Sequence, residues 1–292
     1  MSNETPLRTR RYKSRFYDTA RWDHFSGRDD DVFICTPPKC GTTWTQAICA
    51  LLILGWEDFT IKPSDVSPWY DASYVPMDET NGIIESLTHR RFIKTHAPLD
   101  AMPYSSSSTY VAVYRDPRDV YFSMLNHREN MGFPVRSPDA TASQDFREWV
   151  ARPPVDREEM SFSLASVLLH YHSYAGFARL GNIHLLHYAW MKRNPPAAVR
   201  RIADILGIAL DSAGLAAVVA QSGFDYMKEN ADQFAPDAAR GLYSENAKFF
   251  SAGVNAQWAG VLSEADLDYY NERFAGLASS ADCEWLTNGP AD

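Results

Sequence analysis

Pro38 to Trp44 (Pro-Lys-Cys-Gly-Thr-Thr-Trp) sets one lysine, one glycine and two hydroxyls just ahead of an apolar, helix-like segment. A small Gly-containing turn that opens a helix leaves backbone N–H groups unpaired at the positive end of the helix dipole, where phosphate groups settle. Thr42 and Thr43 add hydroxyl donors and Lys39 a point charge, so the run reads as a phosphate cradle. An ordinary strand-to-helix turn with a surface lysine would share these residue types. The run is not a Walker A loop, in which lysine follows the last glycine and directly precedes Ser or Thr. Lys39 stands before Gly41, which disfavours a magnesium-dependent nucleotide hydrolase or kinase. A second cluster is Lys94-Thr95-His96-Ala97-Pro98-Leu99. An imidazole with an unperturbed pKa of about 6.5 can take a proton from a hydroxyl at neutral pH, although a single histidine is more often structural. The third cluster is Tyr114-Arg115-Asp116-Pro117-Arg118-Asp119-Val120, followed by Ser123. Arginine grips phosphate through two donors, and a helix start just beyond it adds its dipole; an isolated Arg-Asp pair would instead be a solvated cap.

These clusters need elements that bring them together. Val32 to Thr36 reads as a buried strand stopped by Pro37-Pro38, and Thr42 to Leu54 as a helix with Gly55 as a left-handed cap. Arg91 to Thr95 and Tyr110 to Tyr114 are further strands. Asp116 and Pro117 suit the cap and first turn of a helix running to about Asn130. Ile183 to Tyr188 repeats the scheme, with a helix from Asn194-Pro195 through Ile205 closed by Gly207. Ser263 and Asp266 resemble a capping box, with Leu262 and Leu267 at staple positions. The alternation predicts an α/β fold: a single domain with a central parallel sheet flanked by helices and a P-loop-like turn. Ligands sit at the carboxyl ends of strands in such sheets. The aromatic-rich stretches 60–90, 131–165 and 228–260 read as irregular loops with functional or partly disordered character.

Bulk properties limit the possibilities. The 292 residues are 45% apolar and 22% charged, enough for a core, and no linker divides them. The longest apolar run, Ala47 to Trp56, is far short of the ~20 residues that span a bilayer. Arg8, Arg10, Arg11, Lys13 and Arg15 precede no apolar segment, so residues 1–20 read as a solvated basic arm, 21–280 as the domain and 281–292 as a tail. A net charge of −9 argues against nucleic acid as a partner and makes each locally clustered cation informative. Cys35, Cys40, Cys49 and Cys283 lack zinc-ligand spacing, which leaves reduced thiols and a cytoplasmic address as the expectation, with no metal.

In their order the three clusters resemble the cytosolic sulfotransferases. That family's loop reads Tyr-Pro-Lys-Ser-Gly-Thr-Thr-Trp; here Pro37 replaces Tyr and Cys40 replaces Ser. Lys-Thr-His-x-Pro-Leu and Arg-Asn/Asp-Pro-x-Asp-Val with a later Ser also match, and the resemblance covers roughly residues 20 to 275. It implies a phosphosulfate-binding loop and 3′-phosphoadenosine 5′-phosphosulfate (PAPS) as co-substrate, with 3′-phosphoadenosine 5′-phosphate (PAP) as product. The acceptor is then a small-molecule hydroxyl. By the same resemblance Lys39, Cys40, Gly41, Thr42 and Thr43 hold the phosphosulfate and Trp44 stacks on adenine. His96 is the base, with Lys39 and Lys94 catalytic beside it, and Arg115 and Ser123 bind the 3′-phosphate. Tyr188 takes the adenine-contact position. Ser222, Phe224 and Met227 resemble the Thr-Ser-Phe-x-x-Met segment around adenine, with core filling the preferred reading of Met227. Arg91 to His96 and Ser67-Pro68-Trp69 are worded most like bacterial glycolipid-type sulfotransferases.

The pattern breaks once. The family closes its nucleotide site with Arg-Lys-Gly, whereas this chain has Ser251-Ala252-Gly253, followed by Ala256-Gln257-Trp258 in place of Gly-Asp-Trp. Gly253 survives but both cations are gone. Lys248 and Arg240 are the nearest replacements in sequence. The loss leaves open a silent nucleotide-binding protein as the alternative to an enzyme. The family's short C-terminal dimer motif is not recognisable, so the sequence says nothing of oligomeric state. Trp69, Tyr70, Tyr74, Phe133, Phe234 and Tyr243 are candidates for the wall of an apolar acceptor pocket.

Overall fold

Four apolar runs pair into one parallel sheet. The computed structural model describes residues 5–137, 139–156, 159–236, 238–250 and 253–290, so Ser251 and Ala252 lie outside the described residues. Strands β1 (Val32–Cys35), β2 (Phe92–Thr95) and β3 (Thr109–Tyr114) precede a short antiparallel pair, β4 (Val155–Asp156) and β5 (Glu159–Met160), and then β6 (Ile183–His187). The sheet order is β2-β1-β3-β6, with Val32 level with both Phe92 and Thr109, and Tyr110 level with Ile183.

Helices fill the connections. They are α1 (Thr42–Leu54), α2 (Pro63–Val66), α3 (Met77–Ser86), α4 (Pro117–Asn130), α5 (Ala142–Ala151) and α6 (Leu164–Ala175). There follow α7 (Tyr188–Arg193), α8 (Pro195–Leu206), α9 (Ser212–Gln221), α10 (Phe224–Glu229), α11 (Ala231–Phe234), α12 (Glu264–Ala275) and α13 (Ser280–Asn288). Strand side chains alternate between two apolar layers, as a sheet covered on both faces requires. Val32, Ile34, Val111 and Val113 pack with α1, α8 and α9. Phe33, Cys35, Tyr110, Ala112 and Tyr114 pack with α5, α6, α12 and α13. The predicted caps form: the Asp116 carboxylate accepts from Arg118 N, Asn194 from Ala197 N, and Ser263 and Asp266 bond reciprocally.

Four expectations change. Residues 5–20 are not a solvated arm. Tyr12 and Tyr17 are buried with Ala97 and Ala101, the Arg8 side chain bonds Ala101 O at 3.0 Å, and Thr19 N bonds Tyr12 O at 2.9 Å. The two tyrosines interleaved with the cations supply the apolar area that ties the segment down. Nor are residues 281–288 a loose tail, because they belong to α13, whose Leu286 is fully buried and whose Trp285 stacks on Tyr171 at 5.5 Å. The stretches 60–90 and 131–165 contain α2, α3 and α5. Gly55 does take a positive φ of 93°, but its ψ of 151° sends the chain off extended rather than into a left-handed cap. Among the described residues, no helix is long and apolar enough to cross a membrane.

At the amino ends of the strands, Arg91 and Asp31 form a fully buried, two-pronged ion pair, Nε to Oδ1 at 2.6 Å and Nη2 to Oδ2 at 2.5 Å. Their main chains are also bonded: Val32 N donates to Arg91 O, and Thr109 N to Asp31 O. The pair therefore ties β2, β1 and β3 at one level. Removing one member of a buried pair strands the other charge, at a cost of about 3–5 kcal/mol. Arg91→Ala is expected to lower unfolding free energy by about that amount in a urea titration; a loss below about 1 kcal/mol would show that the pair does not hold the sheet.

Candidate active site

The carboxyl ends of all four long strands open on one cavity of about 1070 Å³. Lys39, Gly41, Thr42, Thr43 and Trp44 reach it from the turn after β1 and the start of α1. Lys94 and His96 come from the end of β2, Arg115 from the end of β3 and Ser123 from α4. Tyr188, directly after β6, begins α7 rather than ending the strand. Ser222, Phe224, Met227 and Gly253 also line it, as do Trp69, Tyr74, Phe133 and Tyr243.

The turn is shaped by two residues with left-handed backbone, Lys39 at φ 70° and Gly41 at φ 101°. A Cβ on Gly41 would meet Tyr188 Cδ2 at 2.8 Å, so the close approach of the tyrosine ring requires glycine. No side chain caps the start of α1. Thr36 and Thr42 hydroxyls bond at 2.5 Å across the turn. Trp44 and Tyr188 meet edge to face at 5.7 Å, forming an aromatic corner beside the loop. The Cys40 side chain points away, buried against Val120 and Val167, and its thiol is pushed up to about 12 by that burial. Only its main chain is left to serve a ligand.

His96 is 8% exposed, and its Nδ1 lies 2.6 Å from Thr36 O. A carbonyl can only accept, so Nδ1 carries the proton and the lone pair of the neutral ring is on Nε2. Burial first, then the charge of Lys94, hold the imidazole well below its ordinary pKa, keeping it neutral. Lys94 Nζ lies 4.6 Å from the Trp69 ring centre, and Trp69 meets His96 edge to face at 4.8 Å. Lys39 Nζ lies 4.8 Å from the Phe249 ring. Burial, followed by the charges of Lys94 and Arg115, draws Lys39 down to about 7. Cations placed so near one another repel, and a polyanion between them would relieve that repulsion.

At the far end the Arg115 guanidinium lies 4.6 Å from the Tyr188 ring, and its Nη2 donates to Val254 O at 2.8 Å. Its Nε is buried without a hydrogen-bond partner. Asp119 accepts from Ala256 N and Gln257 N, both at 3.0 Å, and so holds the turn after Gly253. Gly253 has φ 58°, and a Cβ there would fall 2.6 Å from Phe224 Cε2. Ser222 Oγ is bonded to Val218 O at 2.7 Å. Met227 is 2% exposed and packs with Ala47 and Phe234. The two cations nearest the gap in sequence do not fill it. Lys248 pairs with Glu245 at 2.6 Å, Arg240 pairs with Glu79, and neither lines the cavity.

Three of the lining residues that the sequence did not single out matter most to the chemistry of the cavity. His127 on α4 and His170 on α6 face the same cavity, each with one ring nitrogen buried and unpartnered. Isolated histidines inside helices carry no motif that would reveal this. Lys192 also lines the cavity and donates to Gly253 O. Its spacing of four from Tyr188 was a usable signal, since i and i+4 share a helix face. Among the described residues no group of three or more His, Cys, Asp or Glu side chains is disposed to hold a metal ion.

A family model described as the sulfotransferase domain matches residues 29–286. A glycolipid sulfotransferase of Mycobacterium bovis is 30% identical over 99% of this chain and 98% of its own. Mouse sulfotransferase SULT7A1, solved with PAP, superposes with a TM-score of 0.72 at 21% identity, covering 90% of each chain. Retinol dehydratase, solved with androsterone and PAP, superposes with a TM-score of 0.74 at 19% identity over 90% of this chain and 87% of that one. The domain match, the near full-length relative and the shared fold agree, and the chain belongs to the sulfotransferase family.

Proposed function

We propose that this sulfotransferase moves a sulfuryl group from PAPS to a hydroxyl of a small, lipid-like acceptor by direct in-line displacement. The observation that carries the reading is that Lys39, Lys94 and a neutral, Nδ1-protonated His96 line one cavity. The acceptor oxygen bonds to sulfur as the bond from sulfur to the bridging phosphate oxygen breaks, and PAP departs. His96 Nε2 receives the hydroxyl proton. Lys39 and Lys94 balance the charge that grows on the leaving phosphate and the transferring oxygens, each such donor contributing about 2.7–4 kcal/mol in a closed site.

The remaining residues fit the donor. Main-chain groups from Cys40 to Thr43 and the Thr42 and Thr43 hydroxyls surround the 5′-phosphosulfate. Trp44, Tyr188, Ser222 and Phe224 frame the adenine, and Arg115, Ser123 and Gly253 receive the 3′-phosphate. The buried Arg115 Nε, which makes no hydrogen bond, and the two glycines that let the Tyr188 and Phe224 rings approach the main chain support this assignment. The Trp69, Tyr74, Phe133, Phe162 and Tyr243 side chains along the cavity suit an apolar acceptor, and the name of the mycobacterial relative points the same way. Four unpaired cysteines support a reducing, cytoplasmic setting.

Two measurements test the mechanism. His96→Ala should lower turnover by at least about 100-fold while PAP affinity stays within a few-fold; near-normal turnover would remove His96 as the base. Wild-type protein that binds PAP but transfers no ³⁵S-sulfuryl group to any hydroxyl in a panel would instead favour the silent nucleotide-binding reading. Lys39 provides the second test. A bound anion favours its charged form, so binding must draw in a proton once the free lysine has titrated near 7. PAP affinity should therefore fall as pH rises through 7, with proton uptake visible by calorimetry in buffers of different ionisation heat. Lys39→Arg, charged throughout, should lose that dependence. Undiminished uptake in Lys39→Arg would assign it to another group.

A further inference from the structure

We infer that Lys192 supplies the 3′-phosphate with the cation that Ser251 and Ala252 do not provide, delivered from α7 rather than from the segment before Gly253. The inference rests on the PAPS reading above and concerns how this chain, in particular, satisfies it.

The turn after the gap is held from two sides. Gly253 lies against the Phe224 ring, and the Asp119 carboxylate accepts from the main-chain N–H groups of Ala256 and Gln257. Two cations converge on it from different elements. Arg115 Nη2 donates to Val254 O, and Lys192 Nζ donates to the neighbouring carbonyl, Gly253 O. Both line the cavity together with Ser123 and Tyr188. Tyr188 is the common support, since the Arg115 guanidinium lies 4.6 Å from its ring and Lys192 follows it by one helical turn. Arg115 is close enough to depress the ammonium of Lys192 below its ordinary range, after burial, the larger cause. Asp119 is the carboxylate common to both cations, and two backbone N–H groups already occupy it. A dianion beside this pair would be held by two full charges.

Other cations are worse placed. Lys248 and Arg240 are paired with glutamates and do not line the cavity. Arg15 lines the cavity, but its guanidinium lies 4.9 Å from the Phe133 ring among the aromatic walls. Arg128 lies in the last turn of α4, roughly 16 Å of helix rise from the first turn beside Arg115. Lys39 and Lys94 serve the other end of the donor.

Calorimetric titration with PAP and with adenosine 5′-phosphate, which lacks the 3′-phosphate, separates the possibilities. Wild-type protein should prefer PAP. In Lys192→Met, PAP affinity should fall by about tenfold or more while adenosine 5′-phosphate affinity stays within twofold, so that the preference shrinks. Retained binding of adenosine 5′-phosphate also reports that the variant is folded. Lys192→Arg should keep most of the preference, and Lys248→Met all of it. A preference that survives Lys192→Met overturns the assignment, as does an equal loss for both ligands. A wild-type protein indifferent to the 3′-phosphate would overturn the donor reading itself, which the variant result alone does not touch.

Discussion

Parallel pairing of four strands of four to six residues sets the geometry on which the site depends. Because β2, β1, β3 and β6 all run the same way, their carboxyl ends fall on one edge, and whatever residue follows each strand is delivered there. His96 directly follows β2, Arg115 follows β3 and Tyr188 follows β6, while Lys39 stands in the turn that leads from β1 to α1. Adjacent strands lie about 4.8 Å apart, so the four groups span some 15 Å, the scale of an extended nucleotide. A strand reversed or slipped by one residue would turn its contribution into the core or out to the far edge.

The same arrangement has an electrostatic cost that the fold must carry. Lys39, Lys94, Arg115 and Lys192 line a cavity in a protein whose net charge is −9. Aromatic faces hold several of these cations without neutralising them: Phe249 for Lys39, Trp69 for Lys94, Tyr188 for Arg115. Ring faces attract cations but add no formal negative charge, so the affinity for an anionic ligand is preserved. The fully buried pair of Arg91 with Asp31 stands at the opposite ends of the strands, where it fixes the sheet without competing for ligand.

Much of this was legible in local wording. The strand and helix limits follow from short β-branched runs, Pro37-Pro38, Asp116-Pro117 and Gly207, each acting within a few residues of itself. The loop, His96 and Arg115 announce themselves because each sits in a run of distinctive residue types at fixed spacing. What stayed hidden depends on distant contacts. Burial of Tyr12 and Tyr17 requires a surface made by residues 97–101, and seating of α13 requires Tyr171 and His187. His127 and His170 reach the cavity from α4 and α6, whose placement against the sheet no local motif announces. The absence of cations at Ser251 and Ala252 was plain in the sequence, but sequence proximity pointed to Lys248 and Arg240, whereas the cation beside the gap stands sixty residues earlier.

The hydrogen bond from His96 Nδ1 to Thr36 O joins the imidazole to the last residue before the Pro37–Trp44 turn. Ring and turn thus share a common mount, although sixty residues of chain separate them. Their relative placement is set by one short contact at the sheet edge and not by the long connection between β1 and β2.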